Sequence, residues 1–137
     1  MNTEEFVQGV FAHMLAGVRG DIEYIQSPPP GRKPLQRRME MHKWYSNLSD
    51  ADKETVHRLI HDTYEGAVYG LLMVLDHKMF VEDIGPKGEL ELYYRAPSGE
   101  RVHLNPLGGD KGGDLESYFK AIRDDARVAE PDRPESS

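Results

Sequence analysis

The chain contains no cysteine and no long apolar run, and both absences limit what it can be. Without cysteine it forms no disulfide, carries no thiolate nucleophile and offers no sulfur ligand to zinc. The longest apolar run, Ala67–Leu75, is far shorter than the roughly 20 residues that span a bilayer. Residues 1–5 lack the basic start of a secretory signal. We therefore expect a cytoplasmic protein without a membrane partner.

Sequence motifs with a specific chemical meaning are also missing. No nucleophile elbow, phosphate-binding P-loop or dinucleotide fingerprint occurs in the chain. The glycine-rich stretch from Gly108 to Gly113 lacks the spacing of a phosphate or calcium loop, and its acidic Asp110 would repel a phosphate. We interpret it as a connector. These absences favour a non-enzymatic protein that needs no cofactor.

The length of 137 residues and a mean hydropathy of −0.66 indicate one soluble domain. We expect this domain to cover residues 1–127, with an internal proline-rich loop at about residues 26–33. Residues 128–137 have the polar composition of a disordered tail. The prediction is therefore a single globular unit with one mobile end.

A long helix from Ser49 to Lys78 is the strongest structural signal. Apolar residues recur at steps of three and four, which places them on one predicted core face: Val56, Leu59, Ile60, Thr63, Ala67, Leu71 and Val74. Ser49 is placed to cap the helix start. Gly66 and Gly70 lie one turn apart, and since glycine weakens a helix, the pair predicts a close approach by another backbone.

The remaining elements predict an α+β fold. A first helix capped by Thr3 should end near Gly20, and a second should run from Pro34 toward Asn47. Three short strands should form an antiparallel meander, and a last helix should follow, capped by Asp114. The predicted strands are Met79–Ile84, Glu89–Arg95 and Arg101–Asn105. The architecture expected is thus a central helix, two N-terminal helices, a three-stranded sheet and a C-terminal helix.

Charge gives the first functional prediction. The 24 acidic residues exceed the 17 basic ones and leave a net charge of −7, which favours a basic partner and argues against general nucleic-acid binding. We interpret the chain as a protein-binding module, and small acidic α+β proteins of bacteria often serve as inhibitors or immunity proteins. The candidate partner-binding residues are Trp44, Tyr69, Glu89, Glu91 and Tyr93. A free edge of so small a sheet also leaves homodimerisation open.

A divalent-metal site is the first alternative. His57, His61 and Glu65 follow one another at steps of four and share one helical stripe, so they form a candidate ligand set for zinc or a similar ion. Arg58 stands where the metalloprotease motif H-E-x-x-H requires glutamate, which removes the expected catalytic base. The alternative function is a metal-binding protein or a metal-dependent hydrolase.

A nucleic-acid accessory protein is the second alternative. Residues 32–43 contain five basic side chains and one acidic side chain, and Trp44 and Tyr45 follow directly. Cations contact phosphates and aromatic rings stack on bases, so this composition is compatible with single-stranded nucleic acid. The basic positions do not share one helical stripe, which counts against this interpretation.

Overall fold

A computed structural model describes residues 1–108 and 113–129 of the chain. The elements in chain order are α1 Thr3–Gln26, α2 Gln36–Ser46, α3 Asp50–Leu75, β1 Tyr93–Arg95, β2 Arg101–His103 and α4 Leu115–Ala129. A mostly helical α+β fold is therefore confirmed in outline. In the described part of the chain, no helix is long and apolar enough to cross a membrane. The centre of the predicted glycine-rich connector lies outside the described residues, and so do residues 130–137 of the predicted tail. Val128 and Ala129, the first two residues of that tail, belong to α4 instead.

The chain is divided into two compact units. The first contains Met1–Phe11 and the chain from Val68 onward, and the second contains Ala12–Ala67. In the first unit the buried apolar side chains are Val7, Phe11, Leu72, Leu104, Leu115 and Phe119, and in the second they are Met14, Val18, Ile25 and Tyr45. The rings of Phe11 and Phe119 meet edge to face, with centroids 5.5 Å apart. The prediction of a single domain over residues 1–127 stays a prediction.

Helix α1 differs from the prediction at both ends. Asn2, not Thr3, caps it, because the Asn2 Oδ1 accepts the Glu5 N–H at 2.8 Å and Glu5 Oε2 accepts the Asn2 N–H at 2.9 Å. Thr3 instead donates its hydroxyl to the Leu104 carbonyl. The helix continues past Gly20 to Gln26, since one exposed glycine weakens a helix without ending it. Pro28 soon follows and prevents further extension.

Helix α3 begins as predicted but buries only part of the predicted face, since Val56, Ile60 and Val74 are half-buried and the other predicted positions are exposed. Ser49 Oγ accepts the Asp52 N–H at 3.1 Å, which confirms the cap. Leu59 and Leu71, both predicted to be in the core, are 61% and 60% exposed. The more buried stripe runs through residues 57, 61, 65, 68 and 72. Among the described residues, nothing lies within 4 Å of a Cβ added at Gly66 or Gly70, so the predicted close approach is wrong.

The predicted three-stranded meander is not formed, and the sheet described has only β1 and β2. They pair antiparallel with Tyr93 opposite His103 and Arg95 opposite Arg101. Residues 79–84 are irregular, and so are residues 89–92. Side chains occupy the backbone groups that a neighbouring strand would need, because His77 Nε2 lies 3.0 Å from the Leu90 nitrogen and Asn105 Nδ2 donates to the Leu90 carbonyl at 2.8 Å.

The start of α4 is capped from a distant part of the chain. Asp76 is fully buried, and its carboxylate accepts the Leu115 N–H at 3.2 Å and the Glu116 N–H at 2.7 Å. Among the described residues, the predicted cap Asp114 contributes only its backbone carbonyl, which accepts the Tyr118 N–H. A carboxylate at a helix N-terminus pairs unsatisfied N–H groups and complements the helix dipole. Asp76 therefore ties the end of α3 to the beginning of α4.

Candidate functional site

Residues 79–91 form a continuous exposed surface, which we call the acidic segment. Each of its residues is exposed. Its apolar members are Met79, Phe80, Val81, Ile84 and Leu90, with exposed fractions from 43% to 93%. Its charged members are Glu82, Asp83, Lys87, Glu89 and Glu91, four acids and one base. Neighbouring apolar side chains left in water, rimmed by charge, are typical of interaction sites.

The acidic segment begins at a defined turn. Helix α3 ends in a Schellman motif in which the Lys78 N–H reaches the Met73 carbonyl at 2.9 Å and the His77 N–H reaches the Val74 carbonyl at 3.2 Å. His77 occupies the left-handed position of this motif, with φ at 61°. Glycine is usual there, and histidine is one of the few other residues that tolerate it. The turn therefore aims the His77 ring at the far end of the segment.

Two side chains bind the backbone at the far end of the acidic segment. The His77 Nε2 contacts both backbone groups of Leu90, at 3.0 Å from the nitrogen and 2.9 Å from the oxygen. Asn105 is 1% exposed; its amide donates to the Leu75 and Leu90 carbonyls, and its oxygen accepts the Leu92 N–H at 2.7 Å. Residues 77 and 90 are thus held together across the segment. The apolar side chains between them remain exposed because the segment is anchored through its backbone.

The tip of the segment is stabilised by its own charges. Glu82 Oε1 accepts the Gly88 N–H at 3.0 Å, and Lys87 donates its ammonium to the Glu82 carbonyl. The hydrogen bond from Gly88 is the main reason why the pKa of Glu82 lies below its ordinary value, and the Lys87 charge adds to the effect. Glu82 therefore remains ionised at pH values where an ordinary glutamate takes up a proton.

A small cavity opens on the acidic segment. It measures about 70 Å³ and is lined by Val74, His77 and residues 79–82 and 88–90. The volume is about half of the roughly 150 Å³ of an engineered apolar cavity that binds benzene. Small-molecule sites are much larger, at roughly 300 to 1,000 Å³. The cavity therefore suits one aliphatic side chain and is too small for a cofactor.

Residues 32–44 form a second exposed surface, the basic segment. It contains Arg32, Lys33, Arg37, Arg38 and Lys43 against Glu40 alone. Leu35 is 73% exposed and Trp44 is 54% exposed. Arg38 packs on the Tyr24 ring and donates to the Tyr24 carbonyl, whereas Arg37 forms no ion pair within residues 1–108 and 113–129. Most of the cations of this segment are thus available to a partner.

The candidate metal ligands lie on the more buried face of α3 but have other contacts. His57 Nε2 is 2.7 Å from the Tyr45 hydroxyl. His61 Nδ1 is 3.5 Å from Asp62 and 3.8 Å from Glu65, so only two of the three candidates lie near each other. No three His, Asp or Glu side chains in the described ranges are grouped to hold a metal ion. The metal site stays a prediction from spacing alone.

The predicted partner-binding residues occupy four places. Glu89 and Glu91 belong to the acidic segment, and Trp44 belongs to the basic segment. Tyr93 begins β1, stacks on the His103 ring at 4.6 Å and is 40% exposed. Tyr69 is only half-buried and donates its hydroxyl to Glu116 at 3.1 Å. The structure therefore brings Glu89 and Glu91 together and assigns Tyr69 to an internal contact.

Tyr69 belongs to a polar cluster around the start of α4. Burial raises the pKa of Tyr69, and its bond to Glu116 acts in the same direction. Burial alone would raise the pKa of Glu116, but hydrogen bonds from Lys78, Ser117 and Tyr69 outweigh it, and the pKa lies below its ordinary value. Burial raises the pKa of Asp76, although the Glu116 and Leu115 N–H groups oppose this. Because these groups satisfy each other, the cluster holds α4 in place.

Comparison with protein-family models, curated proteins and solved structures finds no match to this chain. We therefore infer its function from the geometry of the two exposed segments. The main residues that sequence reasoning misses are Phe80, Val81 and Ile84, which the sequence places in a strand of a sheet with one buried face and which instead lie exposed. One signal for them was present in the chain, since Glu82 and Asp83 interrupt the alternation that a half-buried strand requires.

Proposed function

We propose that this protein is a non-enzymatic protein-binding module whose acidic segment captures a basic partner. The observation that supports this proposal is the exposed combination of five apolar and four acidic side chains in residues 79–91. Apolar contact supplies affinity, and carboxylates around it select a cationic partner. Where the covered surface is the partner's own working site, such a module acts as an inhibitor.

The cavity specifies what the partner presents. A space of about 70 Å³ accepts one aliphatic side chain, and Glu82 and Glu89 belong to its lining. A partner segment with an exposed Leu, Ile or Val next to Lys or Arg would fill the cavity and place cations beside these carboxylates. Anchors that fill a pocket dominate binding energy, whereas exposed charges mainly affect the association rate and its salt dependence.

A peptide array tests this proposal. The probe is a set of 12-residue peptides that vary independently in Lys and Arg content and in the presence of one central Leu, Ile or Val. We expect the chain to retain peptides that have both features. Retention should fall steeply as the ionic strength rises from about 0.1 M to about 1 M, because the screening length shrinks from about 10 Å to about 3 Å.

A matched pair of charge reversals serves as the control. Glu89→Lys combined with Glu91→Lys should abolish retention, whereas Glu23→Lys combined with Asp125→Lys changes the net charge equally at exposed positions outside the segment and should preserve it. Equal loss in both variants would show that net charge alone attracts the peptides. Retention of neutral and basic peptides alike would also overturn the proposal.

A further inference from the structure

We infer that one partner of the acidic segment is the basic segment of a second copy of this chain, with Leu35 entering the cavity. This inference rests on the proposed function, because it uses the same surface and names an occupant for it. The two segments belong to different compact units. Each unit can therefore present one half of a contact between copies.

Leu35 is an exposed side chain on an ordered backbone. It is 73% exposed and stands at the N-cap of α2 with φ at −60° and ψ at 133°. The Leu35 carbonyl accepts the Arg38 N–H at 2.9 Å, so its backbone is held by the helix that follows, and Pro34 restrains the chain before it. A backbone that is already ordered loses little conformational entropy on binding. An aliphatic side chain of this kind is what the cavity accepts.

The charges around Leu35 complement those around the cavity. Lys33 and Arg37 flank Leu35 at two positions on either side in the sequence, and neither forms an ion pair among the described residues. Glu82 and Glu89 belong to the cavity lining. With Leu35 in the cavity, cations and carboxylates of the two copies face each other. Opposite charges at the rim select this pairing over a pairing of like segments, which would place like charges together.

The contact joins two different surfaces, so its symmetry has a defined consequence. If both contacts form within one pair of copies, the product is a closed dimer with two-fold symmetry. If they cannot, each copy binds the next head to tail and the assembly grows with concentration. Either assembly occupies the acidic segment, so self-association would compete with any other basic partner for the same surface.

Sedimentation velocity of the full chain tests the inference, at concentrations up to about 1 mM so that weak association is reached. We expect association at about 0.1 M salt and its loss near 1 M. Leu35→Asp should leave a monomer, while Leu59→Asp, the same change at a side chain 61% exposed outside both segments, should associate normally. The single tryptophan, Trp44, lies in the basic segment and should change its fluorescence with association.

Mixing two defective variants gives the sharper result. Leu35→Asp retains an intact acidic segment, and Glu89→Lys combined with Glu91→Lys retains an intact basic segment. Each should be monomeric alone, and the mixture should form a one-to-one heterodimer that grows no further, since only one contact can form. Circular dichroism confirms that each variant is folded.

A wild-type chain that stays monomeric over this range at about 0.1 M salt overturns the inference. Association that survives both Leu35→Asp and the charge reversal overturns it as well, because the interface then lies elsewhere. Retention of array peptides by the same monomeric sample would leave the proposed function standing. If the chain self-associates but retains no array peptide, the proposal that the acidic segment captures other basic partners is wrong.

Discussion

Asp76 shows how one buried charge organises the first unit. It is fully buried, yet both carboxylate oxygens accept N–H groups from the start of α4. Gly113 lies against the same carboxylate, and a Cβ added there would overlap Asp76 Oδ1. No other residue fits this position unless the cap moves. The cap of α4 therefore requires the carboxylate of Asp76 and the absence of a side chain at Gly113.

We predict that Asp76→Ala lowers the free energy of unfolding by about 2 to 3 kcal/mol, because two N–H groups lose their acceptor in a buried place. Gly113→Ala should cost about 1 to 3 kcal/mol through overpacking. The two losses should be far from additive, since the carboxylate that a Cβ meets is gone in the double variant. Urea unfolding of all four proteins measures this. Additive losses would contradict the contact between Gly113 and the Asp76 carboxylate. Gly9→Ala is the control, because a Cβ at Gly9 meets open space.

Glu116 gives a pH dependence with a definite sign. Its folded-state pKa is lowered, so its contribution to stability is present above the unfolded value of about 4.3 and is lost as the pH falls through the folded value. Glu116 and Lys78 are 14% and 26% exposed, so solvent screens the pair only in part. The hydrogen bonds to this carboxylate are therefore a measurable part of stability at neutral pH.

We predict that Glu116→Gln lowers the free energy of unfolding by about 1 to 2 kcal/mol at pH 7, as expected for hydrogen bonds to a charged group. The difference from wild type should shrink as the pH falls below about 4. Denaturant unfolding at three pH values measures it. In a Lys78→Met background the same substitution should cost less, because the main cationic donor is absent. If the difference in unfolding free energy grows toward acid pH, the pKa of Glu116 is not lowered in the folded state.

At the scale of elements, local signals predict some helix ends and not others. The cap at Ser49 is confirmed, because it acts within a few residues. The caps predicted at Thr3 and Asp114 are wrong, because Asn2 and the distant Asp76 hold those N–H groups instead. The core face of α3 is predicted only in part, since apolar residues lie on both sides of this helix and spacing alone cannot rank them. Leu59 and Leu71 looked like core positions and are exposed.

The missing strand has a tertiary cause that the sequence could not reveal. Residues 79–84 have strand-forming composition, but His77 and Asn105 bind the Leu90 backbone groups that a strand partner would use. Asn105 is distant in the sequence from the three residues that it joins, Leu75, Leu90 and Leu92. The exposure of the acidic segment follows from this competition. Of its residues, the sequence predicts only Glu89 and Glu91 as partner-binding, and neither the other two acids nor the apolar residues.

Two glycines of the second unit provide a matched test of helix contacts. A Cβ at Gly17 would lie 2.9 Å from the Tyr64 ring, whose hydroxyl is bonded to Asp21. Gly66 faces open space. We predict that Gly66→Ala raises the free energy of unfolding by about 0.5 to 1 kcal/mol through helix propensity. Gly17→Ala should cancel this gain or reverse it, because the ring must move. Thermal unfolding measures both effects. If Gly66→Ala instead lowers the free energy of unfolding, another backbone lies close to Gly66, as the sequence predicts.

At the scale of the whole molecule, opposite charges coexist with a net charge of −7. The basic segment contains five of the cations, and the acidic segment contains four of the carboxylates. Copies with a large net charge of one sign repel each other at long range, while facing segments attract at contact. The balance between the two effects depends on pH as well as on salt.

We predict that self-association strengthens as the pH falls from 7 toward the isoelectric point of about 5.3, because the net repulsion between copies vanishes there. Glu82 should keep its charge over this range, since its pKa lies below the ordinary value. Below about pH 3.5 carboxylates as a class are protonated, and association should weaken again. Sedimentation velocity at the three pH values measures this, with Leu35→Asp as the control for nonspecific aggregation near the isoelectric point. If Leu35→Asp associates as strongly as wild type at pH 5.3, the attraction does not come from these segments. If the wild type associates more weakly at that pH than at neutral pH, net repulsion between copies does not limit self-association.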